Sequence, residues 1–84
     1  MLNGDIKELL LKDFSKKLKE VRASKKMTQM DLAVESDLSL SFISKLEQGI
    51  SNISLLQLYS IAAALDIEVI EILPSLPKRN NSSL

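Results

Sequence analysis

The chain has 84 residues, 45% of them apolar and only 4% aromatic, so its core must be aliphatic and near the size limit for a self-sufficient domain. It has no Cys and no His, which removes disulfides, thiolate metal sites, cysteine nucleophiles and the usual neutral-pH proton shuttle. Net charge is zero but unevenly spread: residues 1–30 hold eight basic against four acidic side chains, and residues 31–84 three against seven. That asymmetry fits a nucleic-acid footprint on the N-terminal part, and it equally fits solvated helix surfaces. The N-terminus lacks the pattern of a secretory signal, and no apolar run approaches the roughly 20 residues that span a bilayer. The expected compartment is the cytoplasm.

From about Asp5 to Lys25, Ile6, Leu10, Phe14, Leu18 and Val21 recur at helical spacing and trace one face. Lys12, Lys16, Lys19 and Lys26 fall opposite, as an ordinary solvated stripe. In "TQMDLAVES", Thr28 with Asp31 forms a T-x-x-D capping pattern that starts a second helix at Gln29 and lets it run to about Ser36, with Leu32 and Ala33 inward. A tight turn leads to Ser39, a good N-cap for a third helix whose Ile43 and Leu46 face the core. Gly49 suits the left-handed position beyond that helix.

The fourth helix opens with an S-x-x-Q capping box, Ser54 and Gln57, and carries Leu55, Leu58, Ile61, Ala62 and Leu65 at helical period. "IEVIEILPSL" is ambiguous, because Ile and Val also favour strands. The spacing of Ile67, Ile70 and Leu73 predicts a short fifth helix stopped by Pro74. The polar tail, residues 77–84, is expected to be flexible. The fold class is therefore all-α: a domain over residues 1–76 with five helices. Its central pair, residues 28–48, has the spacing of a helix-turn-helix.

With these residues in place, the chain resembles the large family of Cro-like and phage-repressor-like (XRE-type) helix-turn-helix transcriptional regulators, which have the lambda-repressor-like fold. The resemblance runs from "LKEVRASKKMTQMDLA" through "SFISKLEQGISNISLLQLYSIAAALDI", about Leu18 to Ile67. "GISNISLLQLYSIAAALDI" is also similar to the controller proteins of restriction-modification systems, which are dimeric regulators of comparable length.

The resemblance implies double-stranded DNA as partner and helix three as the reader. Gln29 lies at the first turn of helix two, where free backbone N–H groups favour phosphate, and the family uses this position for a backbone contact. Ser39, Leu40, Ser41, Ser44 and Lys45 lie opposite Ile43 and Leu46, on the face that meets base edges in a helix-turn-helix. Gln48 and Asn52 bracket Gly49 in the following loop, placed either for phosphates or for local turn hydrogen bonds. In the family, the residues matching Arg22 and Glu47 pair inside the fold, tying helix one to helix three.

Controller proteins typically carry arginines where this chain has Leu40, Gln48 and Ser51; without them the expected affinity and specificity shift, and non-specific binding is expected to be weaker. Many relatives have Gly where Asp66 stands, so Asp66 is expected to avoid the left-handed turn and cap the next helix instead. The aliphatic residues Ile67, Val69, Ile70, Ile72 and Leu73, with Leu76, exceed what so small a monomer covers, and are expected to form a homodimer contact. The expected function is thus a sequence-specific regulator, dimeric and nucleoid-associated, binding a near-palindromic operator. The competing reading is a protein-interaction module of the same fold, an antitoxin or antirepressor. Nothing in the residues suggests an enzyme, a metal, a cofactor, a small-molecule ligand or a membrane.

Overall fold

A computed structural model of the chain describes residues 4–76; the polar tail expected at 77–84 lies outside the described residues. Four α-helices account for most of it: α1, Gly4–Ser24; α2, Gln29–Ser36; α3, Leu40–Glu47; and α4, Leu55–Leu65. No strand occurs among the described residues.

The boundaries follow from local chemistry. Thr28 Oγ1 accepts from the Asp31 N–H at 3.0 Å, and the Asp31 carboxylate accepts from the Thr28 N–H at 2.9 Å, so both halves of the capping box close. Ser54 and Gln57 repeat the device at α4, at 3.1 and 2.9 Å. Ser39 caps α3 through the Phe42 N–H at 3.0 Å. Gly49 takes φ 75° after α3, the left-handed conformation expected of it.

Lys26, Asp37 and Asp66 also adopt left-handed φ, at 58, 57 and 56°. Asp66 therefore does not avoid this region. It ends α4 by donating its own N–H back to the carbonyls of Ala62 and Ala63. The two hydrogen bonds at the helix end outweigh a conformational cost that Asp bears better than most residues.

The fifth helix shrinks to a single 3-10 turn, Val69–Glu71, capped by Glu68. Three β-branched residues in four and a nearby Pro74 leave no room for a longer helix. Ile72 at its end is fully buried and belongs to the core rather than to an outward face. The core joins Phe14 and Leu18 of α1, Leu32 and Ala33 of α2, Ile43 and Leu46 of α3, and Leu58, Ile61 and Leu65 of α4 around it. Leu55, which shares the α4 stripe by spacing, is 68% exposed. The packed part of α4 begins one turn later, at Leu58.

Candidate nucleic-acid interface

The outward side of α3 is set by what its inward side holds. Ile43 and Leu46 are buried without remainder, and Glu47 beside them is 5% exposed. A carboxylate that deep must be neutralised by donors. Arg22 supplies two: Nε to Oε2 at 2.5 Å and Nη2 to Oε1 at 2.8 Å. This parallel fork is the strongest geometry an Arg–carboxylate pair has, and it raises the Arg22 pKa further, against the opposing effect of burial. Arg22 Nη1 also donates to the Met27 carbonyl at 2.7 Å. One guanidinium thus ties α1, the α1–α2 turn and α3 together.

Gln29 joins the same cluster. Its Nε2 donates to Glu47 Oε1 at 3.0 Å, so the amide is held against α3 and half-buried rather than projecting into solvent. Its second amide hydrogen takes no partner among the described residues. Gln29 is thereby fixed at the start of α2, beside N–H groups of the first turn that no intrahelical carbonyl satisfies.

With α3 anchored, Leu40, Ser41 and Lys45 stand outward, Leu40 40% exposed. Ser39 is exposed, but its oxygen already serves as the cap. Ser44 is half-buried and accepts from Gln48 Nε2 at 3.1 Å, so two residues that the sequence treats separately form one unit across a helical turn. Asn52 is exposed in the loop. A Cβ on Gly49 would meet only ordinary contacts, 3.4 Å from Ser15 Oγ and 3.5 Å from the Leu11 carbonyl, so it is the positive φ that favours glycine here.

A second surface is built by α4 and the 3-10 turn that follows it. Tyr59, Ala62, Ala63, Ile67, Val69, Ile70 and Leu73, with Glu68, line an open groove of about 490 Å³. Ile67 and Val69 also pack against the core, whereas Ile70 is 75% exposed. Sequence reasoning found the 67–73 side of this groove and missed the α4 side. Leu55, Leu56 and Tyr59 are all exposed large apolar residues. The signal was present: Leu56 and Tyr59, three apart, fall off the Leu58–Ile61–Leu65 stripe. No helix of the described residues is long and apolar enough to cross a membrane.

These features agree with what comparison with known proteins returns. A family model described as "Helix-turn-helix" matches residues 18–72. The control protein C.BamHI of Bacillus amyloliquefaciens is 39% identical over 56 residues, 66% of this chain and 69% of that one. Among solved structures, the restriction-modification controller protein C.AhdI from Aeromonas hydrophila superposes with a TM-score of 0.73 at 38% identity, covering 75% of this chain and 96% of that one. The clp gene regulator ClgR from C. glutamicum gives 0.72 at 33%, covering 76% of this chain and 83% of that one. The chain belongs to the helix-turn-helix family of Cro-like and phage-repressor-like DNA-binding transcriptional regulators, and is not an enzyme.

Proposed function

We propose that the chain regulates transcription in the controller-protein manner, binding a near-palindromic duplex site as a homodimer with α3 in the major groove. The observation that carries this reading is the division of α3 into two faces. Arg22 and Gln29 grip its buried Glu47, while Leu40, Ser41 and Lys45 are left to meet base edges. Leu40 suits a thymine methyl, the Ser41 hydroxyl either donates or accepts, and Lys45 reaches guanine or phosphate. Ser39 and the Ser44–Gln48 pair flank this face. Gln29 and Asn52, with the first-turn N–H groups of α2, contact phosphates and set the docking register.

One such helix buries too little surface for specific binding. Two copies joined through the groove of Tyr59, Ile67, Val69, Ile70 and Leu73 would present two α3 helices, about 34 Å apart on one face of the duplex. Without arginines at positions 40, 48 and 51, its operator differs from those that arginine-bearing controllers read. A protein that works on the chromosome in this way resides in the cytoplasm, at the nucleoid.

Selection of bound duplexes from a random pool tests the reading, followed by anisotropy on the selected and a scrambled site at two salt concentrations. The selected site should be two half-sites with approximate two-fold symmetry. Leu40→Ala should relax base preference without changing the salt slope. Lys45→Ala should lower that slope if the ammonium binds phosphate. Failure to enrich any duplex would refute the proposal and favour a protein-interaction module of the same fold.

A further inference from the structure

Residues 73–76 leave the 3-10 turn without regular structure, and none of them is buried. Leu73 is 39% exposed and Leu76 68%. Burial holds this segment only weakly, with Pro74 half-buried, and among the described residues its backbone makes no hydrogen bond to another backbone group. Two side chains of α1 hold it instead. Lys17 Nζ donates to the Leu73 carbonyl at 2.9 Å, and the Ser75 N–H donates to Asp13 Oδ2 at 2.9 Å. Asp13 and Lys17, one helical turn apart, are themselves paired at 3.2 Å. The contacts bridge 56 and 62 residues of chain. Both halves of this clasp lie just outside residues 18–72, the part that matches the family.

Leu73 is also a wall of the apolar groove, so the clasp grips the backbone of a residue whose side chain shapes that groove. We propose that Asp13 and Lys17 are positioning residues for self-association: they hold residues 73–76 as the groove's rim, so that Leu73 and Leu76 meet a second copy of the chain. The inference rests on the homodimer reading above. A second copy is the occupant that fits. The groove is lined mainly by aliphatic side chains, Ile70 in it is 75% exposed, and a single α3 buries too little surface to read DNA specifically without a mate. Loss of the clasp frees the rim, and each association then has to order it again, which weakens binding without altering the core.

Sedimentation equilibrium on the full chain tests this with Asp13→Ala, Asp13→Asn, Ser75→Pro and Ile70→Glu. Asp13→Ala should weaken the dimer about tenfold, the effect of losing one hydrogen bond to a charged acceptor. Ser75→Pro removes the donor from the other side without touching α1, and should weaken it similarly. The double variant Asp13→Ala/Ser75→Pro should be no weaker than either alone. Asp13→Asn keeps an acceptor oxygen and should recover most of the affinity. Ile70→Glu should be monomeric. An Asp13→Ala protein that dimerises like the parent, beside a monomeric Ile70→Glu, overturns the clasp and leaves the homodimer standing. A dimeric Ile70→Glu overturns both the clasp and the placement of the dimer contact in this groove. Weakening that merely tracks a lowered melting temperature of the monomer would make the role structural and also overturn the proposal.

Discussion

Removing Arg22 should cost more stability than any other single truncation on the outer half of α1. The Glu47 side chain is 3% exposed and the Arg22 side chain 18%. Arg22→Ala would leave a buried carboxylate with one amide donor, Gln29, in place of four hydrogen-bonding contacts around the pair. Breaking a buried pair from one side costs about 3–5 kcal/mol. The lower end applies here, because Gln29 remains and the guanidinium side is partly open to water. Against a total of roughly 4–12 kcal/mol for a domain of this length, a loss of about 3 kcal/mol is a large share. It should lower the melting temperature by at least about 12 °C.

Thermal and urea unfolding followed by circular dichroism, with DNA anisotropy at a temperature where the variant is folded, separate the possibilities. Glu47→Ala should be destabilised comparably. The double variant Arg22→Ala/Glu47→Ala should lose less than the two single losses added, because no uncompensated charge is left behind. DNA affinity should fall in the folded Arg22→Ala variant as well, since α3 is no longer held at one angle. An Arg22→Ala protein that melts like the parent yet fails to bind DNA would refute the reasoning. Arg22 would then be a DNA contact and not the tie between α1 and α3.

Two further outcomes follow from the helix ends. The Thr28 N–H, and secondarily its hydroxyl contact, hold the Asp31 carboxyl below the ordinary aspartate value of about 3.8. The folded protein therefore binds that proton less readily than the unfolded chain, so the contribution is complete above the ordinary value and is lost as pH falls through the depressed one. Asp31→Asn should flatten the acid limb of urea midpoint against pH; an unchanged slope would contradict the capping role. Asp66→Gly should raise stability by about 0.5–1 kcal/mol by relieving the left-handed φ of 56°, seen as a melting point several degrees higher. A lower melting point would mean that the Asp66 side chain stabilises the turn by more than its backbone strain costs.

The parts of the fold legible in the sequence are those set within one or two helical turns. T-x-x-D at Thr28, S-x-x-Q at Ser54 and the glycine at 49 mark boundaries because capping is a local exchange of hydrogen bonds. The stripe of Phe14 and Leu18, and the inward pairs Leu32–Ala33 and Ile43–Leu46, follow from period alone. The Arg22–Glu47 pair was legible only through family resemblance, since 25 residues separate its members. What escaped depends on where elements meet. Period places Ile72 with its aliphatic neighbours, but the 3-10 turn rotates it into the core. Gln29 had a choice between solvent and a carboxylate eighteen residues away, and only the approach of α3 decides it. The Asp13–Ser75 and Lys17–Leu73 contacts leave no periodic trace at all.

The shortage of positive charge on the reading face has a consequence for how such a protein discriminates. Non-specific DNA affinity comes almost entirely from phosphate neutralisation, roughly one released counterion per cation engaged. On α3 only Lys45 offers such a charge, and the exposed acidic Asp31 in the first turn of α2 partly offsets the pull of that turn's N–H groups on a phosphate. Under the proposed reading, binding to arbitrary DNA should therefore be weak. The proposed contacts of Leu40 and Ser41 with base edges would carry no such dependence, because a methyl contact or a hydroxyl hydrogen bond is made only where the right base presents it. The quantity that matters on a chromosome is the ratio of specific to non-specific binding; a phosphate contact common to both modes cancels in it, whereas base-edge contacts by neutral side chains would raise the specific side alone. In the homodimer proposed above, doubling the reader would offset the deficit in absolute affinity, and the stability of that dimer, with the groove of Tyr59, Ile70 and Leu73, would control occupancy.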